Sequence, residues 1–167
     1  MGGAVSTTPY VAVIGGRDAS AEDCQKAEAV GRALAEAGAV VVCGGLGGVM
    51  EAACRGAAAG GGTSLGILPG DDRSAANPHV TVAVATGLGE ARNALVARAA
   101  DAVVAVAGEF GTLSEIALAL AAGTPVVGLG TWELRRGGRA VTAVVEARDA
   151  AHAAALALRL AEKRARP

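Results

Sequence analysis

The chain has 167 residues, 52% of them hydrophobic, with 15 basic and 16 acidic side chains and a net charge of −1. That length and apolar fraction predict one folded domain with a real core and exclude a disordered chain. The balanced charge argues against a nucleic-acid partner, and no apolar run reaches the roughly 20 residues of a membrane span, so no membrane contact is expected.

Tyr10, Phe110 and Trp132 are the only aromatic residues, so the core must be made of small side chains at close backbone spacing. Cys24, Cys43, Cys54, His79 and His152 lack metal-ligand spacing, which predicts no metal and buried, inert thiols. An odd cysteine count without a secretory signal predicts a reduced, cytoplasmic setting.

Residues 1–9 are small and polar and are expected to be disordered, leaving 10–166 as a single domain. The apolar run 10–16 ends in glycines and reads as a buried strand. Helical periodicity follows over 20–38, with Ser20 as N-cap and Gly38 as the stop. A strand over 39–45, a helix over 49–61 and a strand over 63–70 come next. Loop chemistry at 71–79 leads to a strand over 80–86, a helix over 89–100 and a strand over 101–108. An apolar helix begins near Thr112, followed by a strand over 124–130 and a polar, exposed excursion at 131–139. A last edge strand over 140–147 and a helix over 148–166 complete the chain.

Strands and helices therefore alternate, and the strands are apolar on both faces. The pattern predicts an α/β fold: a single-domain, doubly wound, mostly parallel sheet with helices on both faces, Rossmann-like. In such sheets ligands bind beyond the C-terminal strand ends, and glycines cluster there: Gly15, Gly16, Gly44, Gly45, Gly47, Gly48, Gly108 and Gly111. Glycine at a strand end lets a phosphate approach backbone N–H groups. Neither a dinucleotide fingerprint nor a Walker sequence is present.

"GEFGTLSE" (108–115) places Thr112 and Glu115 at capping-box spacing, in which case Glu115 closes the helix; alternatively the helix faces an open cleft and Glu115 turns to a ligand. In "GLGEARNALVARAA" (87–100), Arg92 falls in the first helical turn, where the helix dipole disfavours a cation. A bound phosphate or a carboxylate such as Glu115 would offset it. If both helices start at neighbouring strand ends, Arg92 and Glu115 line one cleft.

"GGLGGVMEAACRGAAAGGG", "NPHVTVAVATGLGEARN" and "ADAVVAVAGEFGTLSEIALAL" resemble the LOG-like superfamily, once labelled lysine decarboxylases. Their wording is most similar to its molybdenum-cofactor carrier-like branch. The match runs over roughly residues 10–130 in unbroken order. LOG enzymes hydrolyse the N-glycosidic bond of cytokinin riboside 5′-monophosphates, with the motif P-G-G-x-G-T-x-x-E preceded by an Arg-Lys pair. The resemblance implies that Gly108, Gly111 and Thr112 hold a phosphate and that Glu115 and Arg92 form the catalytic pair of an enzyme of this kind.

Three positions depart from that motif: Ala107 for proline, Glu109 for glycine and Asn93 for lysine. Glu109 would repel a dianion, the lost lysine removes a compensating charge, and Asn93 suits hydrogen bonding to a heterocycle. A pyridoxal phosphate decarboxylase is excluded, because no lysine lies in any glycine-rich loop.

The expected function is carrier-like binding of a phosphorylated heterocycle, molybdenum cofactor or nucleotide monophosphate, at the C-terminal edge of the sheet, with no cofactor required. The alternatives are a LOG-type phosphoribohydrolase and an oligomeric interaction module without turnover. The apolar helix after Thr112 makes a homodimer or higher homo-oligomer the expected state under all three.

Overall fold

The computed structural model describes residues 8–165. The expectations for residues 1–7 and for position 166 lie outside the described residues. In chain order the elements are β1 (Tyr10–Gly15), α1 (Ala21–Glu36), β2 (Val40–Cys43), α2 (Val49–Ala59), β3 (Ser64–Leu68) and β4 (Val82–Ala85). They continue with α3 (Asn93–Ala99), β5 (Ala102–Val106), α4 (Phe110–Ala121), β6 (Val126–Leu129), β7 (Leu134–Arg136), β8 (Arg139–Val141), β9 (Val144–Glu146) and α5 (Ala150–Ala165).

Seven strands form one sheet in the order β4-β3-β2-β1-β5-β6-β9, every neighbour parallel. Parallel pairing follows from the sequence pattern, because each crossover helix covers a face that would otherwise expose valines. The strand residues alternate faces as a two-residue period requires. Val11, Val13, Val104 and Val106 pack under α1, α2 and α5, whereas Ala12, Ile14, Val103 and Ala105 pack under α3 and α4.

Small side chains set the layer spacing, as the shortage of aromatics requires. Where α1 crosses α2, a Cβ on Gly31 would overlap the Ala53 carbonyl and one on Gly56 would overlap the Glu28 carbonyl. The Ser20 hydroxyl accepts from Asp23 N at 3.1 Å and caps α1, and Gly38 leaves the helix at φ +81°.

Two expected elements are corrected. The helix expected over 89–100 divides into a 3-10 turn, Gly89–Arg92, and the short α3. The edge strand expected over 140–147 divides as well. Gly137 and Gly138 both have positive φ, +57° and +78°, which builds the two-residue turn of an antiparallel hairpin. That turn pairs β8 with β7 inside the excursion, so only β9 joins the main sheet beside β6.

Candidate functional site at the C-terminal edge

Strand order reverses between β1 and β5, and the loops leaving those strands diverge there to open a cleft. The cleft has a volume of about 350 Å³. One wall is the turn after β1, with Gly15, Gly16, Arg17 and Asp18. Gly44, Leu46 and Met50 come from the β2–α2 turn, and Pro69 from the end of β3. The opposite wall is Glu90, Arg92 and Asn93 together with the start of α4, where Glu109, Gly111, Thr112 and Glu115 face the opening.

Arg92 and Glu115 meet across this wall, with Nη1 3.5 Å from Oε1. The route differs from the expected one. The strands that precede their helices, β4 and β5, are separated by β3, β2 and β1. After β4 the chain returns from the sheet edge through the 3-10 turn, and α3 packs beside α4 on the same face. Adjacent helices, and not adjacent strand ends, bring the two residues together.

The capping-box expectation is overturned. The N-cap of α4 is Glu109, no side chain bonds to the cap, and Thr112 already lies inside the first turn. With the helix beginning at Phe110, the Glu115 carboxyl is too far along to reach the cap amide, and it turns instead to Arg92. Thr112 is 3% exposed at the cleft wall.

The turn that feeds α4 is unusual. Ala107 has φ +46° and Gly108 φ +101°. Proline, confined near −65°, could not adopt the backbone of Ala107, so the alanine that departs from the LOG-type motif goes with a different turn. A Cβ on Gly108 would overlap the Thr112 side chain. Gly44 is constrained by approach: its Cβ would lie 2.7 Å from both Arg92 Nη2 and Met50 Sδ, so the guanidinium rests against bare backbone.

Arg92 is 8% exposed and Glu115 7%. Among the described residues, Arg92 Nε is the buried side-chain nitrogen or oxygen that has no hydrogen-bond partner. Burial pushes the Glu115 carboxyl up to about 7, and the Arg92 charge pulls it back only in part. Burial likewise lowers the Arg92 guanidinium below its ordinary range, opposed by Glu115. Desolvation thus outweighs attraction for both partners, as expected of a pair 3.5 Å apart whose donors are not all used. Arg17 is the other base lining the cleft, against the acids Asp18, Glu90 and Glu109.

Several expected ligand-binding glycines sit back from the opening. Gly45 packs on Leu68, and Gly48 lies over the Gly16 and Arg17 carbonyls. Gly47 flanks Arg17 and Glu51, while Gly108 borders an adjoining hollow. Sequence reasoning missed Leu46, Met50, Pro69 and Glu90, which line the cleft together with Arg17 and Asp18. Their legible signal is position, since each follows a strand or a glycine cluster. Behind the Gly44 turn the buried Cys43 and Cys54 thiols touch at 3.4 Å, with Gly45 N donating to Cys43 Sγ at 3.3 Å. Their mutual hydrogen bond, the largest influence on each, draws the Cys54 thiol down and, aided by burial, pushes the Cys43 thiol up.

The model of the SLOG cluster4 family matches residues 8–161. An uncharacterized protein of Archaeoglobus fulgidus is 41% identical over 119 residues, covering 71% of this chain and 78% of its own. Two solved structures are similar over nearly their whole length. The molybdenum cofactor binding protein of the phototrophic bacterium Rippkaea orientalis has a TM-score of 0.81 at 32% identity, covering 90% of this chain and 96% of its own. The Moco carrier protein of Chlamydomonas reinhardtii has a TM-score of 0.81 at 34% identity, covering 94% and 99%.

Proposed function

This chain belongs to the SLOG cluster4 family, and on that premise we propose that it holds a phosphorylated heterocycle, of molybdenum-cofactor or nucleotide type, in the cleft between β1 and β5. The observation that carries the reading is Arg92. Its guanidinium is buried, and its Nε donor is unspent. A buried donor without a partner costs on the order of 1–3 kcal/mol, more when charged, and an anionic ligand oxygen would recover it. The structures of the Rippkaea and Chlamydomonas proteins support the ligand class, because both are described as proteins that bind or carry molybdenum cofactor. In this reading Asn93 and Thr112 supply neutral hydrogen bonds to the ligand, and Leu46, Met50 and Pro69 give its ring an apolar wall.

Release is part of a carrier's task, and the rim suits it. Asp18, Glu90 and Glu109 oppose the positive charge of Arg17 and Arg92, so a multiply charged phosphate is held less tightly than in a purely basic cradle. Calorimetric titration with guanosine 5′-monophosphate and with a phosphorylated pterin tests the reading. At least one should bind, and Arg92→Met should weaken it about 100-fold, the effect of losing one buried charge-assisted contact. No heat from either probe, or equal affinity in the variant, would remove the proposal.

A second reading, hydrolysis of the N-glycosidic bond in nucleoside 5′-monophosphates, draws on one observation. A carboxyl held near pH 7 is suited to work on a sugar, as a base that positions water or as a charge facing a ribosyl cation. Release of free base by the wild type, lost in Glu115→Gln, would establish that reading; equal release by both would dismiss it.

A further inference from the structure

Two of the three aromatic residues stand together just outside the cleft. The Phe110 and Trp132 rings lie 5.6 Å apart at 38°. Trp132 is held: its Nε1 donates to the Glu109 carbonyl at 3.3 Å, and its indole packs at the margin of the core under α3 and α4. Phe110 is 75% exposed. In a core so poor in aromatics, burying this ring would have filled space that alanines now occupy. It is spent at the surface, on a fixed indole.

On the Trp132 side the ledge borders a shallow, open depression beyond the ends of β5 and β6. Thr131 ties the two strand ends there by donating its hydroxyl to the Ala107 carbonyl at 2.6 Å. Glu109 borders both this depression and the glycine cleft, so the two are neighbours across one residue. The charged side chains lining the depression are Glu109 and Glu133, with no base among them. Such a site disfavours a phosphate and favours a ring that carries N–H donors.

We propose that the Phe110–Trp132 ledge is a subsite for a second heteroaromatic ring of the same ligand, so that the chain takes a dinucleotide-type molecule rather than a mononucleotide. The inference rests on the cleft being the phosphate and first-ring site. The first heterocycle and its phosphate occupy the cleft with Arg92. The second base stacks on the ledge, beside Trp132, and turns its donor edge to Glu109 and Glu133. Guanine suits this better than adenine, because it presents a ring N–H and an amino group side by side to a carboxylate.

Trp132 is the only tryptophan, so its emission reports on the ledge directly. The experiment titrates the full chain with guanosine 5′-monophosphate and with diguanosine 5′,5′-diphosphate, reading affinity by calorimetry and the ledge by fluorescence. The dinucleotide should bind about tenfold more tightly, in the range of one base stacked on an aromatic side chain, and should quench Trp132. Phe110→Ala should reduce the dinucleotide to the affinity of the mononucleotide and leave the mononucleotide unchanged, while Phe110→Tyr should restore the gain. Mononucleotide binding with no dinucleotide gain would overturn the subsite and leave the cleft reading standing. Binding of neither guanosine probe would overturn the subsite, and would overturn the cleft reading as well if the phosphorylated pterin is also silent.

Discussion

Two arginines bracket the α3–α4 face, and they are treated in opposite ways. At the N-terminal edge of the sheet, Arg164 of α5 donates to the Ala100 carbonyl at 2.9 Å and to the Thr124 hydroxyl at 2.6 Å. That hydroxyl donates in turn to the Ala97 carbonyl at 3.3 Å. The arginine there ties a helix end to a strand start. At the C-terminal edge Arg92 lines the same cleft as a threonine, Thr112, yet its one ion pair is 3.5 Å long and its Nε has no partner. Fold-holding polar groups are satisfied within the chain. A deeply buried donor left without a partner beside a cleft is the group that the proposed ligand would satisfy.

The largest expected effect comes from removing the carboxylate of the incomplete pair. Glu115→Ala removes the buried acceptor that faces Arg92 and leaves its side-chain volume empty, and should cost about 3 kcal/mol in chemical denaturation. A loss below about 1 kcal/mol would mean that solvent or another group already compensates Arg92.

The next effect is a pH dependence. The folded Glu115 carboxyl titrates at about 7 against an ordinary 4.5, so the folded state holds the proton more tightly than the unfolded chain. Stability from this group is fully present below about 4.5 and is lost as pH rises through 7. Between pH 5 and 8 the wild type should lose on the order of 2–3 kcal/mol relative to Glu115→Gln, which cannot titrate. Parallel stability–pH curves for the two proteins would show that the carboxyl is ionised throughout.

The smallest effect belongs to the satisfied arginine. Arg164→Met should lower stability by about 1 kcal/mol through the lost hydrogen bonds and leave the affinity for guanosine 5′-monophosphate unchanged. A change in that affinity would show that the two ends of α3 communicate, and the contrast between the arginines would then fail.

Much of the frame is legible in the sequence. Ser20 and Gly38 were readable because caps depend on a few adjacent residues. The pairing of Arg92 with Glu115 was also anticipated, though by way of neighbouring strand ends that are not neighbours. Thr112 and Glu115 have the spacing of a capping box but not its geometry. The helix starts two residues sooner, on a turn whose left-handed Ala107 no local pattern announces. The strand expected over 140–147 was split because a hairpin competed for half of it. Cys43 and Cys54, eleven positions apart, gave no sign of the contact they make.

The alternation of apolar strands and amphipathic helices by itself determined a parallel sheet covered on both faces, because side-chain periodicity is a local property of the chain. The glycine clusters likewise marked where the chain turns tightly at the strand ends. Only the tertiary structure decided that β1 and β5 lie side by side, that α3 crosses back to meet α4, and that Arg92 is buried with a donor to spare. Those outcomes depend on how separate segments share one core and exclude water from one another, and residue spacing carries no information about desolvation.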